Sequence, residues 1–351
     1  MKKFIRKFTS LFLTVGLAFT MAACNNSTEG GKDTPKEDDG LSIYASIYPM
    51  QEFTQKVVGD TAEVKNIMPP GSASHDFEPT TKQVTELSKA DVLVYQGAGM
   101  ESWIDSVKET LEASGSDIVF IEASEGIELL PNTHHHHDEE EEEHDHEHEE
   151  EAEEHDHEEE EHEHEHEEGE EHHHHHGAYD PHVWLSIRNS KTMVENIADA
   201  LSEVNPDLAD KYKENADAYT SELDKLDKEY TEKLADANVK SFVVTHEAFG
   251  YLAKDYGLKQ YGLTGMGTAQ DPNPEKMAQM VELVKKEDMK AIYYDNSGSP
   301  KVAEALAAEL DGVEVLPLTT LHSPSEEELK DGANYVTMMQ KNLENLLVNA
   351  Q

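Results

Sequence analysis

Apolar side chains recur at Leu208, Tyr212, Ala216, Tyr219, Leu223, Leu226, Tyr230 and Leu234, in steps of 4, 4, 3, 4, 3, 4 and 4. That spacing is the buried stripe of one uninterrupted helix. About 31 residues at 1.5 Å each span roughly 45 Å, enough to run along two folded lobes. Asn205 and Pro206 end a preceding helical stretch at 190–204 and open this one, with Asn as N-cap and Pro in the first helical position. A coiled-coil seam would look similar over this length. A single stripe between two regions of quite different patterning is better explained by packing within the chain.

The flanking regions both alternate short β-rich runs with helical stretches. In the first, strands are expected at 42–47, 62–68, 92–95 and 118–121, with helices near 50–58, 80–89 and 101–113. In the second, strands are expected at 242–244, 259–263, 291–294 and 313–318, with helices near 248–256, 274–287, 301–310 and 325–348. Apolar runs bounded by Gly, Pro and Asp that alternate with helices imply βαβ units and parallel sheets. The expected fold class is α/β: two similar parallel-sheet lobes joined by a long α-helix. The lobes occupy 41–188 and 238–351, and the helical linker 189–237.

One segment cannot contribute to a core. Residues 134–176 contain 17 of the 21 histidines and 24 Asp or Glu, with only Ala152 and Gly169 besides and no Lys or Arg. Such a stretch is expected to be a disordered loop inserted in the first lobe. It accounts for about half of the net charge of −47, and the remainder of the chain is also acidic. An acidic chain excludes ordinary nucleic-acid binding and suits a protein that handles cations. The single cysteine excludes a disulfide framework and a Cys-based structural zinc site.

The N-terminal 23 residues read as a signal peptide. Lys2, Lys3, Arg6 and Lys7 precede an apolar run from Phe8 to Ala23 that is short for a membrane span. Met21-Ala22-Ala23-Cys24 resembles a bacterial lipobox, with Met21 where that pattern usually has Leu. The resemblance implies lipidation of Cys24. Residues 24–40 then read as a flexible tether, which holds a water-soluble body at a membrane face.

Four histidines remain outside the acidic tract: His75, His182, His246 and His322. His75 lies in Ser74-His75-Asp76-Phe77-Glu78-Pro79-Thr80, His182 in Asp180-Pro181-His182-Val183-Trp184-Leu185, and His246 in Thr245-His246-Glu247-Ala248-Phe249-Gly250. Asp295 closes the run Ile292-Tyr293-Tyr294-Asp295. His75, His246 and Asp295 each follow an expected strand, and open α/β sheets bind ligands at the carboxyl ends of their strands. Any one histidine in such a place is more often structural than a ligand. Together, three neutral imidazoles and a carboxylate drawn from both lobes form an N₃O set suited to tetrahedral Zn²⁺. His322 falls in a loop before the last expected helix and is not counted in that set.

These four motifs, in this order over residues 41–351, resemble the metal-binding lipoproteins of bacterial zinc and manganese ABC transporters. The resemblance implies two α/β lobes joined by a rigid helix, with the metal at the lobe interface on His75, His182, His246 and Asp295. Manganese members carry Glu at the position of His246, so an imidazole there favours zinc. Zinc members often show Glu, or rely on water, at the position of Asp295, whose reach is shorter. An acidic, His-rich insertion is a further mark of the zinc branch. Here it provides auxiliary weak sites at His134, His135, His136, His137, His144, His146, His148, His155, His157, His162, His164, His166, His172, His173, His174, His175 and His176.

The function the resemblance implies is capture of Zn²⁺ outside the cytoplasm. The ion is delivered to an ABC transporter permease and its ATPase by a monomeric, lipid-anchored protein that is not an enzyme and binds no nucleic acid. The alternatives are a manganese-capturing or adhesin-like member of the same family, and a surface zinc hydrolase using Glu247 or Asp76 as base. No His-Glu-x-x-His motif supports the hydrolase.

Overall fold

A computed structural model of the chain describes residues 40–72, 77–132, 178–265, 272–296 and 298–350. Cys24, His75 and the tract from His134 to His176 lie outside the described residues, as does Asp76. The first sheet is built from β1 (Ile43–Ala45), β2 (Val64–Asn66), β3 (Val92–Tyr95) and β4 (Val119–Glu122), all parallel, in the order β2-β1-β3-β4. Its helices are α1 (Tyr48–Val58), α2 (Thr81–Leu87) and α3 (Ile104–Ala113). The second sheet repeats the order as β6-β5-β7-β8, from β5 (Ser241–His246), β6 (Lys259–Thr264), β7 (Ala291–Tyr294) and β8 (Glu314–Pro317). Between these strands run α6 (Gly250–Tyr256), α7 (Pro274–Lys286) and α8 (Lys301–Ala307).

Period-2 alternation sends successive strand residues to opposite faces. Ile43, Ala45, Val92 and Val94 face an inner core, while Leu93 and Tyr44 face an outer one under α2 and α3. In the second sheet Phe242, Val244 and Tyr293 face the same inner core, and Val243 and Ile292 an outer one. The two sheets therefore share one core. What joins them is α5 (Ala209–Ala235), whose buried positions are Tyr212, Ala216, Tyr219, Thr220, Leu223, Leu226, Tyr230 and Leu234. Its 27 residues span about 40 Å. The 3₁₀ turn Pro206–Leu208 precedes it, so Leu208 lies just outside the helix, and Asn205 makes no side-chain cap. Its companion α4 (Ile187–Val204) is capped by Ser186, whose side chain accepts from Asn189 N.

Polar groups on α5 bind both lobes. Asn215 Nδ2 donates to Val57 O at 2.8 Å at the end of α1, and Tyr230 Oη donates to Met339 O at 2.5 Å. Tyr256 Oη of α6 donates to Asp227 at 2.9 Å. The expected single helix at 325–348 is two, α9 (Glu326–Lys330) and α10 (Tyr335–Ala350). Gly332, at φ 90°, breaks it in the left-handed region that glycine enters without a Cβ penalty. The break frees the first N–H of α10, and Tyr335 N donates to Glu52 Oε2 of α1 at 2.8 Å. Glu52 also accepts from Tyr48 Oη at 2.5 Å and Tyr219 Oη at 3.4 Å, so one buried carboxylate ties α1, α5 and α10 together.

On α10, Asn342, Asn345 and Asn349 share a buried face. Asn345 donates to Pro317 O at 2.7 Å, Asn349 Oδ1 accepts from Ala291 N at 2.7 Å, and Asn342 exchanges two bonds with Thr319. These side chains satisfy backbone groups that enter β7 and leave β8, which a buried apolar helix would leave unpaired. Among the described residues no helix is long and apolar enough to cross a membrane.

Candidate metal centre

In each sheet the strand order reverses between the first and third strands, where an open α/β sheet leaves a crevice. In the second sheet that crevice lies between β5 and β7. His246 is the last residue of β5 and Asp295 the first after β7. Their side chains meet, with His246 Nδ1 3.1 Å from Asp295 Oδ2. Asp295 N donates to Thr245 Oγ1 at 3.2 Å, which fixes the backbone just past the strand.

His182 approaches from the connection between the first sheet and α4. It is fully buried, and its ring centroid lies 5.0 Å from that of His246 at an interplanar angle of 78°. Asp180 holds it with one oxygen: Oδ1 accepts from His182 N at 2.9 Å and faces Nδ1 at 2.8 Å. An oxygen that already accepts from a backbone N–H is best matched by a ring N–H, which leaves the lone pair of His182 on Nε2 for a metal. Asp180 is itself anchored, since its N donates to Leu130 O at 2.8 Å and its O accepts from Tyr251 Oη at 2.9 Å. Helix α6 can come this close only because residue 250 is glycine; a Cβ there would sit 2.7 Å from Asp180 Oδ2.

The electrostatics favour uncharged imidazoles. Burial, reinforced by repulsion from His246 and His322, holds His182 well below the ordinary imidazole value. Burial pushes His322 down to about 4. Burial raises Asp180 to about 7, against the opposing hydrogen bond from His182 N. Neutral imidazole is the form that binds a metal.

Of the expected ligand set, then, the described residues bring together His182, His246 and Asp295. Among the described residues, no group of three or more His, Cys, Asp or Glu side chains is already arranged to hold a metal ion. His246 and Asp295 are turned toward each other, so a bound cation would replace their mutual hydrogen bond. Residues not expected from the sequence also belong here. Thr320 Oγ1 lies 3.2 and 3.3 Å from the two Asp295 oxygens and 2.6 Å from His322 Nδ1. His322 is 3% exposed. Its position just beyond β8 is the signal that could have found it, since His246 and Asp295 stand at the same ends of their strands.

Residues 43–348 match the model of the family described as zinc-uptake complex component A, periplasmic (ZnuA). The chain belongs to this family. It is 37% identical over 306 residues to the zinc-binding protein AdcA of Streptococcus pyogenes serotype M6, which covers 87% of this chain and 55% of that protein. The chain thus spans about half the length of the streptococcal AdcA relatives it matches. It is 35% identical over 342 residues to the high-affinity zinc uptake system protein ZnuA of Bacillus subtilis, 97% of each. Among solved structures it resembles the Zn(II)-bound ZnuA-like domain of Streptococcus pneumoniae AdcA, with a TM-score of 0.69 and 34% identity over 89% of this chain and 99% of that one. The two-lobed α/β architecture expected from the sequence is the ZnuA-family fold.

Proposed function

We propose that the chain captures Zn²⁺ outside the cytoplasm and hands it to the permease of an ABC transporter, whose ATPase drives uptake. The ligands in this reading are His75, His182, His246 and Asp295. The observation that carries it is the meeting of His182, His246 and Asp295 at the crevice of the second sheet, with Asp180 presenting His182 through Nε2. Two imidazoles already held at this crevice, with a third from His75, favour the borderline-soft zinc over manganese. Cys24 anchors the mature chain by its lipid, and the tract from His134 to His176 collects further zinc at weak, interchangeable sites. The body acts as a monomeric carrier and not as a hydrolase. Glu247, the described candidate base, accepts from Gly262 N at 2.9 Å and is drawn toward β6.

The test is a zinc-against-manganese competition titration on the chain lacking residues 134–176, with a screen for hydrolase activity alongside. One tight zinc per chain, preferred over manganese, with no hydrolysis, is the expected result. Loss of tight binding on removing the tract would place the site in the tract instead. A manganese preference would replace the cargo, and zinc-dependent turnover would replace the carrier reading.

A further inference from the structure

Residues 130–132 and 178–180 run antiparallel where the chain leaves the first lobe and returns to it. Pro131 lies opposite Tyr179, Asn132 N donates to Ala178 O at 2.9 Å, and Asp180 N donates to Leu130 O at 2.8 Å. Residues that face each other in a hydrogen-bonded antiparallel pair normally exchange two bonds. Leu130 and Asp180 exchange one. In place of the other, Leu130 N donates to Tyr251 Oη at 3.0 Å, and Tyr251 Oη donates to Asp180 O at 2.9 Å. A phenol accepts as well as donates, so it fits between an N–H and a carbonyl. Tyr251 is buried.

This hydroxyl comes from the second lobe. Tyr251 is the second residue of α6 and follows His246 by five positions. The link between them is short and held: Ala248 N donates to His246 O at 2.9 Å, and Phe249 N to Gln260 Oε1 of β6 at 2.9 Å. On the other side, Asp180 stands two residues before His182. Pro181 fixes one backbone angle of that step, and Val183 N donates to Pro181 O at 2.9 Å. With φ −82° and ψ 43°, His182 is the centre of an inverse γ-turn. Asp180 Oδ1 holds both the backbone N and the ring of His182. Residues 180–182 therefore move as one piece, and a shift of Asp180 O is passed on to the imidazole.

We propose that Tyr251 is a positioning residue of the metal centre, whose hydroxyl, set between Leu130 N and Asp180 O, keeps the His182 turn at the distance from His246 at which both imidazoles reach one ion. This rests on the reading of His182 and His246 as zinc ligands. Zn–N bonds are about 2.0–2.1 Å long, so the two rings must be placed closely by the frame that carries them. The ring of Tyr251 belongs to the His246 side of that frame, and its oxygen is bonded to the His182 side, so the side chain sets the gap between the two. Bonded directly, Leu130 N and Asp180 O would lie closer together than with an oxygen between them, and the turn would be drawn toward Leu130. Tyr251 acts through the backbone of Asp180, as an outer partner that orients a ligand.

The experiment is Tyr251→Phe in the full chain, given half an equivalent of zinc so that the tightest site fills before the weak ones. Phenylalanine keeps the ring and its packing and removes only the oxygen. Leu130 N and Asp180 O can then bond each other, so the fold keeps its backbone pairing while the His182 turn shifts. Chelator competition reads the affinity, X-ray absorption at the zinc edge counts the imidazoles, and calorimetry of the zinc-free protein reads Tm. Zinc binding is expected to weaken by about tenfold to a hundredfold, with one imidazole fewer at the ion and little change in zinc-free Tm. Native affinity or a native zinc-edge spectrum in Tyr251→Phe, whatever happens to Tm, would overturn the proposal and leave Tyr251 a support of the ladder alone. His246→Ala serves as the control. If it too leaves zinc binding unchanged, the underlying ligand assignment is wrong, and not merely the part given to Tyr251.

Discussion

The two sheets have the same strand order, yet their crevices are used in opposite ways. Past β1 and β3 the first crevice is closed by Glu101. Its buried carboxylate accepts from Ser46 Oγ at 2.5 Å, Gln96 N at 2.9 Å and Gly97 N at 3.0 Å. Past β5 and β7 the second crevice holds His246 and Asp295, with a hydrogen bond to each other that a cation can replace. The first lobe spends its carboxylate on its own backbone, and so becomes a platform. It supplies His182 from outside the crevice, next to Pro181, whose O accepts from the Gln96 amide at 3.2 Å when its nitrogen is turned to donate. Topology alone thus offers two equivalent crevices, and they differ in the donor chemistry at the strand ends: a carboxylate bonded to its own backbone in the first, an imidazole and a carboxylate facing each other in the second.

The largest effects should come from the second crevice. His182→Ala and His246→Ala, like His75→Ala, are each expected to weaken tight zinc binding by about a hundredfold or more, since each removes one of very few strong donors. Asp295→Ala is expected to cost less. His246→Glu should move the zinc-to-manganese ratio toward manganese, because a carboxylate suits the harder ion. Competition titration measures all of these. Glu101→Gln, by contrast, should leave zinc affinity unchanged, and a loss there would erase the distinction between the crevices.

Much of this arrangement is legible in the sequence because it depends on local pattern. The bounds of β3 and β7 follow from apolar runs cut off by Asp, Gly and Gln, and the α5 stripe from its 3.6-residue period. The strand-end rule finds His246 and Asp295. Other features depend on contacts between distant segments and leave no periodic trace. The break between α9 and α10 is a case: Asp331-Gly332 is a weak signal, and the reward for breaking there comes from Glu52, 283 residues away. Likewise Asp180 and Thr320 matter through what they touch in the folded chain. His322 obeys the strand-end rule, but its contact with Thr320 across the turn at Leu321 appears only in the folded chain.

Zinc should next show itself in stability. An unfolded chain cannot bring His182, His246 and Asp295 together, so the tight site binds only the folded state. At 100 times the dissociation constant this adds about 2.7 kcal/mol, which raises Tm by roughly 5–10 °C for a body of this size. Calorimetry on the chain lacking residues 134–176 avoids binding of zinc by the unfolded tract. The increment should be full at pH 7.5 and smaller in acid, where protons compete for the imidazoles; His182, held well below the ordinary value by burial, gives up its share only at more acid pH. An increment that stays equal from pH 7.5 down to the lowest pH at which the protein remains folded would count against an imidazole site.

Without metal, the crevices should titrate with opposite signs. The His322 value is depressed from 6.5 to about 4, so the unfolded chain binds the extra proton in that window. Its contribution is present above pH 6.5 and is lost as pH falls through about 4. Burial raises the Glu101 value above its ordinary 4.5, so its contribution is present below pH 4.5 and is lost as pH rises. Each proton changes the slope by at most about 1.4 kcal/mol per pH unit. In denaturant titrations of zinc-free protein, His322→Asn should lessen the acid-side loss between pH 6.5 and 4. Glu101→Gln should lessen the loss on rising from pH 4.5. Asp180 and Glu52, both raised, are common to all three proteins and cancel in the differences. Profiles parallel to the parent in either variant would show that burial does not control that group.

The smallest effect expected is on the distance between the lobes. A clamshell needs a hinge of a few residues that absorbs large φ/ψ changes. Here the connection is α5, which runs 27 residues without interruption and is bonded to α1 on one side and to α10 and α6 on the other. Glu52 adds a buried tie that spans α1, α5 and α10 at once. Opening the lobes would take the Tyr335 N donor of α10 away from that carboxylate, at a cost of about 1–3 kcal/mol for a hydrogen bond to a buried charged group. Zinc has no need to supply that energy if the side chains of His246 and Asp295 can turn onto it without moving the sheets. Spin labels at Lys82→Cys in α2 and Glu282→Cys in α7, both exposed sites, measure the separation once Cys24 is replaced by Ser. Zinc is expected to change it by less than about 2 Å, as in preorganised binding. A shift of about 5 Å or more, in the range of hinge closure, would mean that α5 bends. The two crevices would then be halves of one closing site, and the first lobe more than a platform for His182.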